Sequence, residues 1–168
     1  MHLPGSLREV SFTDGVAHST SINSKIEFHP KEAFKSNSTW RSIYKPPQLF
    51  PAYIWYDFRS RRIRPTLITF LPRQDRQNSR AQLKKTPSKF RFVGTNDAIC
   101  NEDSDWSILC EGRSNDRPTI ESLTIERGCH VSNPDLSAFR CLGLKIDSSF
   151  SAVQAVLSLI RIWQMVLP

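Results

Sequence analysis

Few residues of this 168-residue chain have the types and spacing that catalysis requires. The sequence contains no G-x-S-x-G elbow for an activated serine and no H-E-x-x-H pair for a catalytic zinc, and its six glycines form no phosphate-binding loop. The four histidines are scattered, so none has an adjacent partner for acid–base chemistry. We therefore predict a protein that is not an enzyme and that has no catalytic residue and no cofactor.

Two groups of residues have side chains that bind metals. Glu102, Asp103 and Asp105 have the carboxylates that calcium prefers, but three acids in a loop are more typical of a solvated turn. Cys129-His130 could join the other cysteines around zinc, yet the sequence has no C-x-x-C pair and the spacing fits no common zinc knuckle. We predict no metal site.

The four cysteines lie in the second half of the chain and allow three disulfide connectivities. The local choice, Cys100–Cys110 with Cys129–Cys141, would join two successive loops. Disulfides require an oxidising compartment, whereas the first ten residues, MHLPGSLREV, lack the apolar core of a secretory signal. Two expectations stay open: a secreted protein of which this chain is a fragment, or an intracellular protein with four free thiols.

The positive charge is concentrated in one segment. The net charge is +7, but residues 59–91 contain eleven basic residues against one acidic residue, and residues 92–135 contain three against nine. This pattern fits either solvated strand ends or an anion-binding rim in the loop from Arg73 to Lys85. Nucleic acid is not predicted, because the basic residues near Arg62 alternate along a strand without interleaved stacking aromatics.

The hydropathy pattern predicts short strands rather than helices. Eleven prolines divide the chain, and β-branched and aromatic runs between them predict strands near 16–21, 53–58, 64–71, 89–96, 106–110, 119–126, 138–146 and 157–165. Residues 152–160 also fit a short helix. About eight short strands with turn-rich connections indicate an all-β antiparallel sandwich. No apolar run approaches the roughly 20 residues of a membrane span.

The aromatic strands, taken in order, carry a resemblance to a known family. The segments are Ala33-Phe34, Ser38-Thr39-Trp40, Tyr53-Ile54-Trp55-Tyr56-Asp57-Phe58, Phe92-Val93-Gly94-Thr95-Asn96-Asp97, Trp106, and Phe139-Arg140-Cys141-Leu142. In this order they resemble the discoidin family, also called the coagulation factor V/VIII C-type domain. The resemblance implies a galactose-binding-like jelly-roll sandwich over residues 10–166, with residues 1–9 as an N-terminal tail.

The resemblance also implies where a ligand binds. Family members hold glycans, anionic phospholipid head groups or proteins in loops at one end of the sandwich and are not enzymes by themselves. Three loops would form this rim here, near 23–30, 41–51 and 71–87. The candidate ligand-binding residues in them are Lys25, His29, Tyr44, Lys45, Arg73, Arg76 and Arg80.

The chain departs from the family pattern in two places. The acidic residue of the usual A-x-D-G segment is missing from Ala33-Phe34-Lys35-Ser36, which argues against calcium at that loop. The cysteine pair that joins the family's termini is also missing, whereas Cys100 and Cys110 bracket a hairpin as in a subgroup of extracellular animal domains. We expect an extracellular protein with disulfides formed by Cys100, Cys110, Cys129 and Cys141, the alternative being cytoplasmic.

Two function hypotheses follow. The first is a recognition module that binds carbohydrate or another anionic cell-surface ligand through the rim. The second is an intracellular protein–protein interaction domain without a small ligand. The oligomeric state is left open.

Four residues of the aromatic strands receive structural roles. Trp40, Trp55 and Trp106 are expected in the core, because large aromatics on strands are usually buried. Asp57 interrupts an apolar strand and needs a buried partner, for which an arginine of the basic segment is the candidate.

Overall fold

The chain folds into two five-stranded antiparallel sheets. The computed structural model describes residues 6–20, 29–36, 38–42, 50–74, 80–114, 116–132, 138–151 and 154–166, with backbone only at 80, 81 and 166. The strands are β1 (Ser6–Glu9), β2 (Val16–Ser19), β3 (Trp40–Arg41), β4 (Ala52–Asp57), β5 (Pro65–Leu71), β6 (Pro87–Thr95), β7 (Ser107–Arg113), β8 (Arg127–His130), β9 (Cys141–Ser149) and β10 (Val156–Val166). Short 3-10 helices span Pro30–Phe34 and Ile120–Ser122, and the helix α1 spans Arg80–Leu83.

The strand order explains how the two sheets enclose one core. Sheet one has the order β1-β10-β5-β8, with β3 also paired to β10, and sheet two has the order β2-β4-β9-β6-β7. Alternate side chains point inward, as the two-residue period of a strand requires, so that Ile54 and Tyr56 of β4 are in the core. Phe70 of sheet one meets Phe90 of sheet two edge-on, with ring centroids 4.9 Å apart. The predicted all-β sandwich is confirmed.

Most of the predicted strands are present, and the differences have local causes. The segment 119–126 is not a strand: Ile120 and Ile125 are 58% and 59% exposed, and Thr119 caps a 3-10 helix through Ser122. The β-branched residues of this segment suggested a strand, but the segment pairs with neither sheet, so its isoleucines stay exposed. Strand β10 replaces the alternative helix from residue 156 onward, and residues 152 and 153 lie outside the described residues.

Sequence patterns missed three short strands. Ser6–Glu9, assigned to the N-terminal tail, forms β1 and pairs with β10 from Ser6↔Val166 to Glu9↔Trp163. All four residues of β1 are exposed, so they show no apolar alternation. Strands β3 and β8 are similarly short and gain their pairing from long neighbours. Among the described residues, no helix has the length and apolar character to cross a membrane.

The four cysteines form two disulfides that the local pairing does not describe. Cys100 is bonded to Cys141, and Cys110 is bonded to Cys129, so no cysteine is free. Cys110 lies on β7 at the edge of sheet two, and Cys129 lies on β8 at the edge of sheet one. The bond therefore joins the two sheets along one side. Cys100 and Cys141 are far apart in sequence but meet because Cys141 begins β9 beside Thr95, and Thr95 ends β6 just before the loop that carries Cys100.

The three tryptophans expected in the core have different positions. Trp40 is fully buried in the core, as predicted, whereas Trp55 and Trp106 belong to a smaller apolar group on the outer face of sheet two. Trp55 is also buried, but it lies on the opposite face of β4 from Ile54 and packs against Trp106, 5.7 Å between ring centroids. Trp106 itself is only half-buried and donates from Nε1 to Asn101 O at 2.8 Å, so its assignment to the core was wrong.

Asp57 has its partner outside the basic segment. Arg140 donates from Nε to Asp57 Oδ1 at 2.9 Å and from Nη2 to Oδ2 at 3.2 Å, and the Arg59 backbone N–H donates to Oδ1 at 2.7 Å. The expected side-chain partner in residues 59–91 is thus replaced by the arginine next to β9. Burial raises the pKa of Asp57, but the bonds from Arg140 and Arg59 and the charge of Arg140 outweigh it, so the pKa lies below the ordinary 3.8.

The Asp57–Arg140 pair predicts a pH-dependent stability. We expect D57N to lower the free energy of unfolding at pH 7 by about 2 kcal/mol, the size of hydrogen bonds to charged groups. A carboxylate with a depressed folded pKa contributes stability that is complete well above 3.8 and is lost as the pH falls through the folded pKa. The difference between wild type and D57N in urea unfolding should therefore shrink from pH 7 towards pH 2.

The matched control is E111Q, which removes an exposed carboxylate 3.4 Å from Arg91. Its unfolding free energy should stay close to wild type at both pH values. An unfolding difference between wild type and D57N that is the same at pH 7 and pH 2 would contradict the role given to the Asp57 charge.

Candidate ligand-binding site

One end of the sandwich collects the long connections. The end of β2, the start of β4 and the end of β9 lie together, because Ser19 pairs with Ile54 and Ala52 pairs with Ile146. The end of β5 is joined to the start of β6 by residues 72–86, and the end of β7 is joined to the start of β8 by residues 114–126. We call this the loop end.

The structure describes only part of the predicted rim. Lys25, Tyr44, Lys45 and Arg76 lie outside the described residues, as does the side chain of Arg80, whose backbone begins α1. His29 is half-buried and precedes the 3-10 helix Pro30–Phe34, where its carbonyl accepts from the Glu32 N–H at 2.9 Å. The assignment of these residues to a ligand stays a prediction.

Arg73 is buried, with no exposed surface. Its Nη1 donates to Gln82 Oε1 at 2.9 Å, which joins the two ends of the connection 72–86. The next residue, Gln74, donates from its backbone N–H to Ser158 Oγ at 3.2 Å and from Nε2 to Leu123 O at 2.7 Å. Arg73 thus has a structural role in the loop. Because it has no exposed surface, it can act on a ligand at the predicted rim only through its charge.

Three cations from separate segments converge at the loop end. Arg41 pairs with Val156, and the Val156 N–H donates to Lys85 O at 2.9 Å, so one residue of β10 contacts both segments. Burial lowers the pKa of Lys85, and the positive charges of Arg41 and Arg73 lower it further. Sequence reasoning named Arg41 only as a loop boundary, because no linear pattern reveals that β3 brings it beside Lys85.

The motif that carries the family resemblance lies at the other end. Asn96 donates from Nδ2 to Ala138 O at 2.9 Å and accepts at Oδ1 from the Arg140 N–H at 2.9 Å. Asp97 Oδ2 accepts from the Asp105 N–H at 3.1 Å. These side chains hold the segments 96–105 and 138–141 together, and within the described residues no group of three His, Cys, Asp or Glu side chains could hold a metal ion.

Comparison with solved structures identifies the fold. The family 32 carbohydrate-binding module of NanJ from Clostridium perfringens, solved with galactose, superposes with a TM-score of 0.69 at 10% identity, covering 95% of this chain and 100% of that one. An F5/8 type C domain from Bacteroides fragilis gives 0.73 at 8% identity, covering 98% and 100%. The module of AlyQ in complex with 4,5-unsaturated mannuronic acid gives 0.63 at 9%, covering 92% and 97%.

The chain has the discoidin-type fold. The resemblance found in the aromatic strands is therefore confirmed at the level of the fold, since sequence identities of this size show the fold alone. No protein-family model and no curated protein matches the sequence. The discoidin-type sandwich determines where the loop end lies, whereas function depends on the side chains found there.

Proposed function

We propose that this chain is a non-catalytic recognition module that binds carbohydrate with an acidic group through its loop end. The observation that carries the proposal is the convergence of Arg41, Arg73 and Lys85 at that end. Two solved modules of the same fold bind sugars, the NanJ module galactose and the AlyQ module an unsaturated mannuronic acid, which is itself acidic.

Electrostatics favours an anion at this place. Three like charges held close together repel one another, and partial burial removes the water that would screen them. Burial lowers the pKa of Lys85, and the charges of Arg41 and Arg73 act in the same direction. A carboxylate or sulfate placed near the three charges would reduce the repulsion, and arginine forks suit both groups.

The disulfides favour the extracellular form of the proposal. Both bonds require an oxidising compartment to persist. The intracellular interaction domain predicts four free thiols, whereas all four cysteines are paired. We therefore place the module outside the cell, where acidic glycans and anionic lipid surfaces are both accessible.

The test is a charge reversal in the rim, with binding measured by calorimetry. We expect R41E/K85E to weaken binding of an alginate oligosaccharide at least tenfold, since loss of one charge-assisted bond is worth about 1.5–3 kcal/mol. Arg73 is left unchanged because it is buried. The control R62E/R64E makes the same change in net charge at exposed positions outside the loop end, and its affinity should remain within about twofold of wild type.

Two outcomes would overturn this proposal. One is unchanged affinity in R41E/K85E with a native circular dichroism spectrum, which rejects the rim. The other is binding to phosphatidylserine vesicles without binding to any saccharide of a glycan array, which assigns the loop end to lipid instead.

A further inference from the structure

A cleft beside the rim gathers every basic residue of the acidic segment 92–135. Arg113, Arg117 and Arg127 all line it, and its volume is about 540 Å³. This lies within the roughly 300–1,000 Å³ typical of small-ligand sites. We call it the arginine cleft; its other lining residues are Phe90, Ser114, Asp116, Thr119, Ser122, Ile125, Glu126 and Gly128.

We propose that the arginine cleft is a second site, which binds the carboxylate or sulfate group of an acidic saccharide. The inference rests on the proposed function only for the class of ligand. The arginine cleft and the rim consist of different residues, because the cleft is lined by the connection between β7 and β8 and by the strands that flank it.

The two strands fix the walls of the cleft. Arg113 ends β7 opposite Lys89, and Arg127 begins β8 opposite Phe70. The Cys110–Cys129 disulfide joins the same two strands three residues before Arg113 and two residues after Arg127. The separation of the two backbone positions is therefore set by covalent and sheet geometry, which lowers the entropy cost of bringing the two side chains to one ligand.

The acidic residues of the cleft leave a positive excess. Glu126 is occupied by Arg161, whose Nη1 donates to its Oε1 at 2.9 Å, and by Thr69 Oγ1 at 3.3 Å. Within the described part of the chain, neither Arg113 nor Arg117 has an ion-pair partner. Of the two acidic residues that line the cleft, Glu126 is therefore shared with Arg161, which leaves Asp116 to balance three arginines.

Arg127 is held in place and partly dehydrated. Its Nη1 donates to the Asp116 backbone carbonyl at 3.0 Å, while its Nε is buried and has no hydrogen-bond partner. Burial lowers the pKa of Arg127, and the charge of Asp116 opposes this only in part. A dehydrated guanidinium gains more from an incoming anion than an exposed one, because the attraction is less screened.

The other walls favour a sugar. Ile125 is 59% exposed and offers an apolar surface to the C–H face of a pyranose ring, and the exposed Thr119 side chain carries a hydroxyl group. Arginine forks bind carboxylate and sulfate in the same bidentate way, so the cleft by itself does not separate a uronate from a sulfated sugar.

The test compares the ligand affinities of R113Q/R117Q and of the wild-type chain by calorimetry. The probes are an oligogalacturonate trisaccharide, a heparin-derived tetrasaccharide and neutral galactose. We expect the variant to lose about 10- to 100-fold in affinity for at least one charged probe and to bind galactose as wild type does. Which charged probe responds distinguishes carboxylate from sulfate. R62Q/R64Q, outside the loop end, should leave all three affinities unchanged.

A spectroscopic measurement keeps the result independent of the rim. The Nε–Hε resonances of Arg113 and Arg117 should shift during titration of wild-type protein with the charged probe and not with galactose. Unchanged affinity of R113Q/R117Q, or resonances that do not move, would overturn the second site.

The two proposals can fail separately. Alginate binding that depends on Arg41 and Lys85, without any effect of Arg113 and Arg117, leaves the rim standing and rejects the cleft. Charged-sugar binding that depends on Arg113 and Arg117 alone rejects the rim and retains the cleft.

Discussion

The double substitution C100A/C141A is expected to lower the free energy of unfolding by about 4 kcal/mol. The disulfide joins residues 41 positions apart, and closing a loop of that length in the unfolded chain removes entropy worth about 4 kcal/mol at 25 °C. Alanine is chosen because Cys141 is fully buried, so a serine hydroxyl would add the cost of an unpaired polar group.

A second effect accompanies the loss of this bond. Cys100 belongs to the loop that places Trp106 over Trp55, through the bond from Trp106 Nε1 to Asn101 O. Without the disulfide, Trp106 keeps this bond and its ring contacts with Trp55 and Tyr53, but the segment around Cys100 loses its covalent link to β9. We expect faster amide exchange in residues 96–106 and a red shift of tryptophan fluorescence before global unfolding.

The companion variant C110A/C129A removes a disulfide that closes a shorter loop, of 19 positions, and should therefore lower the free energy of unfolding by less, about 3 kcal/mol. Guanidinium unfolding of both variants and wild type provides the comparison. A larger loss for C110A/C129A than for C100A/C141A would contradict the loop-length argument. It would show instead that joining the two sheets matters more than constraining the unfolded chain.

The substitution G143A is expected to destabilise the protein by about 3 kcal/mol or more. Gly143 lies in the middle of sheet two, paired with Trp55 on one side and Val93 on the other. A Cβ there would overlap the Ile54 carbonyl oxygen and lie 2.5 Å from Trp55 Cα. Both are backbone atoms of β4, so β4 and β9 would have to separate. Forcing one extra methyl into a packed site typically costs about 1–3 kcal/mol, and moving a strand places the cost at or above the upper end of that range.

The control for G143A is K145A, two residues along β9 and therefore on the same face. Lys145 Nζ lies 5.7 Å from the centroid of the Tyr53 ring, a contact worth up to about 1 kcal/mol when exposed. Urea unfolding should separate the two variants clearly. A G143A protein with wild-type stability would mean that β4 and β9 can move apart freely, contrary to the close approach of the two strands.

Strand pattern, but not strand pairing, could be predicted from local sequence. The alternation in Phe90-Arg91-Phe92-Val93 identifies β6, because every second side chain must be apolar on a half-buried strand. Ile120 and Ile125 show the same residue types without a sheet beneath them, and the prediction fails there. Propensity describes the residue, whereas burial depends on which element arrives from elsewhere in the chain.

The candidate site shows the same division. The family resemblance indicated which loops meet at one end, and the strand pairing agrees with that arrangement. It did not indicate that Arg73 would be buried, or that Arg113 and Arg127 would face one cleft. The net charge of residues 92–135 gave no indication of the cleft, because the segment is acidic in sum although its three arginines line one cleft.

The sequence by itself determined an all-β sandwich of discoidin type and a chain with a basic and an acidic segment, because side-chain alternation and motif order are properties of the linear chain. Only the tertiary structure decided the disulfide pairing, the partner of Asp57 and the sets of cations at the loop end. Each of these joins residues that are distant in sequence, and antiparallel strands in two sheets bring such residues together by long-range pairing.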